Sequence, residues 1–347
     1  MTIASTAASA SARGLWVPNE NSSTLTEFQG ILQSGSTAPH RINSGNDLDG
    51  SSCVAFDHKG NLWESNFNSN SIVEYTKAQI GALKTNSTPT AIVTIGKDSG
   101  SFLNGPEGIA FDAAGNLWVG SERGQQILKY TPAQLAQSGN PSPDLVLNAN
   151  SFNFSSPSLP VFDRAGNLWV VDEDIANVNG GSGMVFKYTR AQLSGLAGFQ
   201  NIDPVFGLSS GSFQHLEGLA FDLSGSIWLA DEDASLVYKF RAVDLRGQGL
   251  SQNVTPAVIL SPTSITDGSA CTQSLDAPYG VAVDALGALY VANTGSSGVH
   301  CFGSLAKFSP ASIKTSGSPT PRVFISSDAS GTNLDAPNYL TFGPVVP

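Results

Sequence analysis

Six positions carry most of the chemistry this sequence can offer: Ser52, Glu107, Ser158, Glu217, Tyr279 and Asn338, each just before or at the start of a short run such as Gly108-Ile109-Ala110-Phe111. Glu107, Glu217 and Asn338 take alternate places in that series. If the six runs converge on one axis, two carboxylates meet there and repel unless something positive lies between them. A hard cation such as calcium takes several oxygen ligands of this kind. A solvated acidic funnel, or carboxylates bonded to backbone amides, reads the same way in sequence. Of the four histidines, His215 alone lies near the series, within His215-Leu216-Glu217. Beside a cation it has the chemistry of a general base, and an exposed loop histidine is the plainer alternative.

The elements that must position these residues are written as a repeat. Phe56-Asp57-His58-Lys59-Gly60-Asn61-Leu62-Trp63 recurs in variants ending at Trp118, Trp169, Trp228 and Tyr290. A period of about 50 to 60 residues marks a stack of small sheets that cannot bury their faces alone. In the second complete repeat, Gly108–Phe111 reads as a buried first strand and Asp112-Ala113-Ala114-Gly115-Asn116 as a hairpin turn. Leu117–Val119, Gln126–Tyr130 and Asp144–Leu147 then read as the second, third and fourth strands. Between the last two, Thr131-Pro132 suggests one capped helical turn.

The two ends of the chain complement each other. Gly14-Leu15-Trp16-Val17 reads as a second strand lacking a first, and Asn338-Tyr339-Leu340-Thr341-Phe342 as a first strand lacking a second. Joining them gives an all-β, six-bladed β-propeller with four-stranded blades, closed by the C-terminal strand in the N-terminal blade. Residues 1–13 are expected to be a disordered segment and 14–347 a single domain.

Innermost strands line a propeller's channel, so the six positions should ring its mouth. The ends of the second strands lie at the same edge. That brings Asn19, Glu20, Asn66, Glu122, Asp172, Glu173, Asp174, Asp231, Glu232, Asp233 and Asn293 to one acidic face, with Arg123 as a counter-charge. Asp57, Asp112, Asp163, Asp222 and Asp284 recur at one hairpin and read as turn residues, and the Trp series as packing between blades.

A net charge of −11 argues against nucleic acid or an anionic membrane as partner. No run is long and apolar enough to span a bilayer as a helix. Cys271 and Cys301 fall in connections at the same end of one blade, so a disulfide is expected, the alternative being two thiols; Cys53 reads as a buried apolar residue. Composition and the bridge together suggest a secreted or periplasmic protein, although no signal-peptide pattern is visible. A monomer is expected. Gly207-Leu208-Ser209-Ser210-Gly211 spells a nucleophile-elbow pattern in the wrong context, a Gly/Ser-rich connection.

The Phe-Asp-x-x-Gly-Asn-Leu-Trp-Val wording resembles that of NHL-repeat propellers and of the senescence-marker-protein/gluconolactonase family, over nearly the whole chain. The resemblance implies a six-bladed propeller, in groups that include both enzymes and binding domains. In gluconolactonase-like enzymes it further implies a divalent cation, usually calcium, at the channel mouth. Its ligands come from Pro-Asn-Gly or Pro-Asp-Gly at the start of innermost strands. The matching positions here are Pro106-Glu107-Gly108, Leu216-Glu217-Gly218, Pro278-Tyr279-Gly280 and Pro337-Asn338-Tyr339, with Glu in place of Asn or Asp and a Tyr at one of them.

Two functional expectations follow. In the first, the top face and channel bind a small molecule or protein through a rim of Asn19, Glu20, Asn66, Glu122, Arg123, Asp172, Asp231, Tyr279 and Asn293. In the second, the protein is a cation-dependent lactonase or esterase, with Glu107, Glu217 and Asn338 as metal ligands and Glu107, Glu217 or His215 managing the proton.

Overall fold

The structure, a computed structural model, describes residues 14–29, 39, 41–85, 87–96, 100–149, 154–173, 183–266, 271–295, 301–327 and 334–343. The segment 1–13 and Asp174 lie outside these residues. Six sheets form a ring of blades. Blade 1 combines Leu15–Asn19, Thr24–Phe28 and Arg41–Asn43 with Thr341–Phe342 from the other end of the chain. Leu15 pairs with Phe342 and Trp16 with Thr341, while Asn19 bridges Pro337, so the ring closes as the two half-motifs require.

Each later blade runs outward from the axis in chain order. The innermost strands of blades 2 to 6 are Ser51–Phe56, Pro106–Phe111, Pro157–Phe162, Leu216–Phe221 and Pro278–Val283. The second strands are Leu62–Asn66, Leu117–Ser121, Leu168–Asp172, Ile227–Asp231 and Leu289–Asn293. Capping boxes at Thr76 and Thr189 start the short helices Lys77–Ala82 and Arg190–Leu193. Thr131 makes the same contacts with Gln134 and holds a single turn.

The repeated word is structural throughout. Asp112 Oδ1 accepts the amides of Ala114 and Asn116, and its Oδ2 accepts Trp118 Nε1 at 2.9 Å. Gly115 stands at φ +82°, a left-handed turn conformation that favours glycine. The aromatic ending each second strand's apolar word packs on the next blade. Trp16 meets Phe56, Trp63 meets Phe111, Trp118 meets Phe162 and Trp169 meets Phe221. Tyr290 meets Phe342 at 5.2 Å between ring centroids, which carries the packing across the closure.

Two blades carry a fifth strand that the repeat does not foretell. Gly198–Asn201, from the connection within blade 4, pairs in parallel with Leu145–Asn148 of blade 3. Gly249–Asn253, from blade 5, pairs in parallel with Phe206–Ser209 of blade 4. At three other junctions the lacing shrinks to one parallel bridge: Asn43–Ser87, Ile95–Gly139 and Leu260–Gly317. Cys271 and Cys301 form a disulfide, and Cys53 is a buried free thiol.

Candidate functional site

Irregular register at the start of the innermost strands sets the mouth of the channel. Pairing shifts between Ser51 and Cys53, Pro106 and Ile109, Pro157 and Leu159, Leu216 and Leu219, and Pro278 and Val281. Such bulges re-aim a side chain. The inner ring they produce is Asn338, Ser52, Glu107, Ser158, Glu217 and Tyr279 in blade order. Neighbouring backbones come close beneath it: a Cβ at Gly218 would lie 2.3 Å from Tyr279 O, and one at Gly280 2.3 Å from Asn338 O. Glycine is therefore required after Glu217 and Tyr279.

A second ring lies above, built from the residue just past each second strand: Glu20, Phe67, Glu122, Glu173, Glu232 and Thr294. Their amides donate to Ala336, Gly50, Gly105, Ser156, His215 and Ala277, each two residues before its blade's inner-ring position. All six line an open basin of about 410 Å³ together with Glu107, Glu217, Tyr279 and His215. Its lining includes no lysine or arginine among the described residues.

The expected rim needs correction one residue earlier. Asn19, Asn66, Asp172, Asp231 and Asn293 are fully buried and do not line the basin. Each accepts the backbone amide that leads into its own blade's first strand: Asp335 on Asn19, Asp49 on Asn66, Ser156 on Asp172, His215 on Asp231 and Asp276 on Asn293. In blade 3, Ser121 does the same for Asn104. These side chains hold the scaffold, because orphan amides at the strand approach need acceptors. Arg123 lies over the ring of Phe67, 4.1 Å from its centroid, and is not part of the basin wall. Glu20, Glu122 and Tyr279 stand where expected, on the basin.

The acidic groups converge on His215. Its Nε2 lies 3.4 Å from Glu217 Oε1 and 3.5 Å from Glu173 Oε2, while Nδ1 lies 3.5 Å from Glu232 Oε2. The ligand atoms of Glu173, His215 and Glu217 all fall within 4.8 Å of one another. Tyr279 donates to Glu107 and Tyr339 to Glu217, the latter at 3.1 Å. Asn338 donates to Glu20 at 3.3 Å. Glu107 and Glu173 approach closely enough to share a proton. Glu107 Oε2, Glu173 Oε1 and Asn338 Oδ1 are buried with no donor.

This geometry disfavours charge. Burial pushes Glu173 up to about 8. Burial, then the charge of Glu173, holds Glu107 well above the usual carboxylate range. Glu217 is raised by burial and then by Glu173, Glu107 and Glu232. Tyr279 and Tyr339 are raised by burial and then by Glu107. The site is thus a set of carboxyl oxygens that need protons or a cation. Tyr339 is the participant that repeat reading passes over, because its register matches Gly108, Gly218 and Gly280 in other blades.

A family model described as strictosidine synthase-like, N-terminal, matches residues 81–127, a segment that includes Glu107 and Glu122. No curated protein matches the chain by sequence. Among solved structures, the chain is similar to a nidogen/laminin complex at 14% identity, covering 96% of this chain and 99% of that one, with a TM-score of 0.52. It is similar to a luciferin-regenerating enzyme at 15% identity, over 85% and 80% of the two chains, with a TM-score of 0.50. A putative gluconolactonase aligns at 13% identity over 85% and 86%, with a TM-score of 0.49. The likeness is one of fold, a six-bladed propeller.

Proposed function

We propose that this propeller binds a small molecule in its top basin, around a hard divalent cation of the calcium kind. One observation carries the reading. Glu107, Glu173, Glu217 and Glu232 come together from three consecutive blades without a lysine or arginine among the basin's described lining. The buried oxygens of Glu107, Glu173 and Asn338 that lack donors fit a metal, since hard cations take carboxylate and carbonyl oxygen. Glu107, Glu217 and Asn338 would hold it, with Glu173 as a further carboxylate. A basin of about 410 Å³ suits a small ligand. An extracellular or periplasmic setting, in keeping with the disulfide, belongs to the same proposal.

A second reading, a lactone or ester hydrolase, draws on His215, held between three carboxylates and one-third exposed. When bound, the cation would polarise a substrate carbonyl. His215 Nε2 is placed to take the proton of an attacking water and to return it to the alkoxide as the C–O bond breaks. Glu173 and Glu217 favour the imidazolium formed between those events. Tyr279 and Tyr339 fix the orientation of Glu107 and Glu217 from below.

The experiment is thermal unfolding in calcium and in chelator, followed by a screen of aldonolactones and aryl esters. A calcium-dependent rise in Tm supports the cation-centred basin, and calcium-dependent turnover selects the hydrolase. Equal melting in calcium and chelator removes both readings.

A further inference from the structure

The repeat supplies its own control for an unpaired cation on the face opposite the basin. Across from the aromatic of each second strand stands Glu27, Glu74, Lys129, Lys187, Lys239 or Lys307, in blade order. Each of the four lysines lies over that aromatic, Lys187 at 4.9 Å from the ring centroid of Trp169. Three of them also meet a carboxylate: Lys129 with Asp144 at 2.7 Å, Lys239 with Asp222 at 2.8 Å and Lys307 with Asp284 at 3.9 Å. Lys187 makes no ion pair among the described residues.

Two residue choices account for the difference. In blades 5 and 6 the hairpin aspartate reaches the lysine, because Ser226 and Ala288 stand where blades 2 to 4 have Asn61, Asn116 and Asn167. In blade 4, Asp163 Oδ2 already accepts Asn167 Nδ2 at 2.8 Å and Trp169 Nε1 at 3.1 Å. Blade 3 has the same two bonds on Asp112. Its lysine turns instead to Asp144, whose amide donates to Lys129 O. The residue whose amide donates to Lys187 O is Val205. Blade 4 therefore keeps the cation and lacks both partners used elsewhere.

Lys187 lines a groove of about 320 Å³ between blades 4 and 5, at the hairpin ends of their inner strands. Arg246 stands on the same groove, also without an ion pair among the described residues. Arg164 is held there by a bond from its Nη1 to Leu223 O at 3.1 Å. The two acids on the lining are engaged, Asp163 by Asn167 and Trp169 and Asp222 by Lys239. Trp169, Phe221 and Leu245 form an apolar wall, with the two rings edge to face at 5.7 Å. Lysine offers a point charge and arginine a planar fork, the two chemistries that hold a carboxylate or phosphate. A concave site of this size with an apolar wall suits the body of a small ligand.

We propose that this groove binds a small organic anion, its carboxylate or phosphate head between Lys187 and Arg246 and its apolar body on Trp169, Phe221 and Leu245. The ligand supplies the counter-charge that Asp144, Asp222 and Asp284 supply within other blades. The groove shares no residue with the basin and needs no cation there.

The test is calorimetric titration with phenyl phosphate, benzoate and inorganic phosphate, in chelator and at fixed ionic strength, so that no metal in the basin takes part. Wild type should bind one equivalent of phenyl phosphate or benzoate, and the tighter of the two identifies the head group. Lys187→Met keeps the cover on Trp169 and removes the charge. Val205→Asp keeps Lys187 and gives it the partner that Asp144 gives Lys129. Each should weaken binding by about tenfold or more, the loss of one charge-assisted hydrogen bond. Should Lys187→Met fail to fold, Val205→Asp and Arg246→Gln decide in its place. No saturable binding of either organic anion by wild type, or wild-type affinity in these variants, overturns the site. Inorganic phosphate binding as tightly as phenyl phosphate would overturn the part assigned to Trp169, Phe221 and Leu245.

Discussion

Tyr339, on the segment that closes the ring, donates its hydroxyl to Glu217 of blade 5 at 3.1 Å. Closure and site are therefore mechanically one. Tyr339→Phe removes the bond and leaves a buried carboxyl with one partner fewer. The expected cost is about 1–3 kcal/mol, as for a hydrogen bond to an ionisable group. Urea unfolding measures it, and an unchanged midpoint would show the bond contributes nothing.

The double variant Glu107→Gln with Glu217→Gln keeps side-chain shape and removes two acids from the inner ring. A ligand at a hundredfold excess over its dissociation constant stabilises the folded state by about 2.7 kcal/mol. The variant should fold and lose the calcium stabilisation that belongs to the basin. A full calcium shift in this protein would move the ion away from Glu107 and Glu217.

Without metal, the basin should make stability fall with rising pH. Glu173 has its folded value raised from 4.5 to about 8, chiefly by burial. A carboxyl raised in this way favours the folded state while protonated in both forms. That advantage is lost as pH climbs from the ordinary range toward about 8. In chelator, Tm should therefore decline between those limits, and Glu173→Gln should flatten the decline. A Tm that rises over the same range would contradict the burial of Glu173.

The disulfide closes a loop with a sequence separation of 30. The chain-entropy relation gives about 3–4 kcal/mol for a loop of that length. Reduction should lower Tm accordingly, and peptide mapping without reductant should find Cys53 alone alkylated after unfolding. Three reactive thiols would remove the bridge.

Deleting residues 338–347 removes Tyr339, Leu340 and the Thr341–Phe342 strand. It strips cover from Trp16 and Tyr290, a loss of several kcal/mol at about 25 cal/mol per Å² of apolar surface. Melting like that of the full chain would show that the pairing of Leu15 with Phe342 is dispensable.

The ring and its closure were legible because Asp112, Gly115 and Trp118 are demanded once per blade by turn geometry and interblade packing. The inner ring was legible from the same register. For the outer ring, the sequence brought Asn66, Asp172 and Asp231 to the same face as Glu20, Glu122, Glu173 and Glu232, and only the four glutamates line the basin. Polar type does not distinguish a side chain that accepts its own blade's amides from a neighbour that faces solvent. Glu173 and Glu232 differ from Asp172 and Asp231 only in direction, which the strand's end decides. Gly198–Asn201 gave no strand signal because it is mostly exposed, and its partner lies in another blade.

The parallel lacing at the outer edge also sets what counts as a module in this chain. The sequence repeat begins and ends at the innermost strand, yet Gly198–Asn201 belongs to one repeat and completes the sheet of the one before it. A blade cut out at the repeat boundary would leave its predecessor without its outer lace and carry away a ribbon with nothing to lie on. Duplicating or exchanging a blade should therefore succeed only when the cut is staggered, taking the inner strands of one repeat with the outer connection of the next.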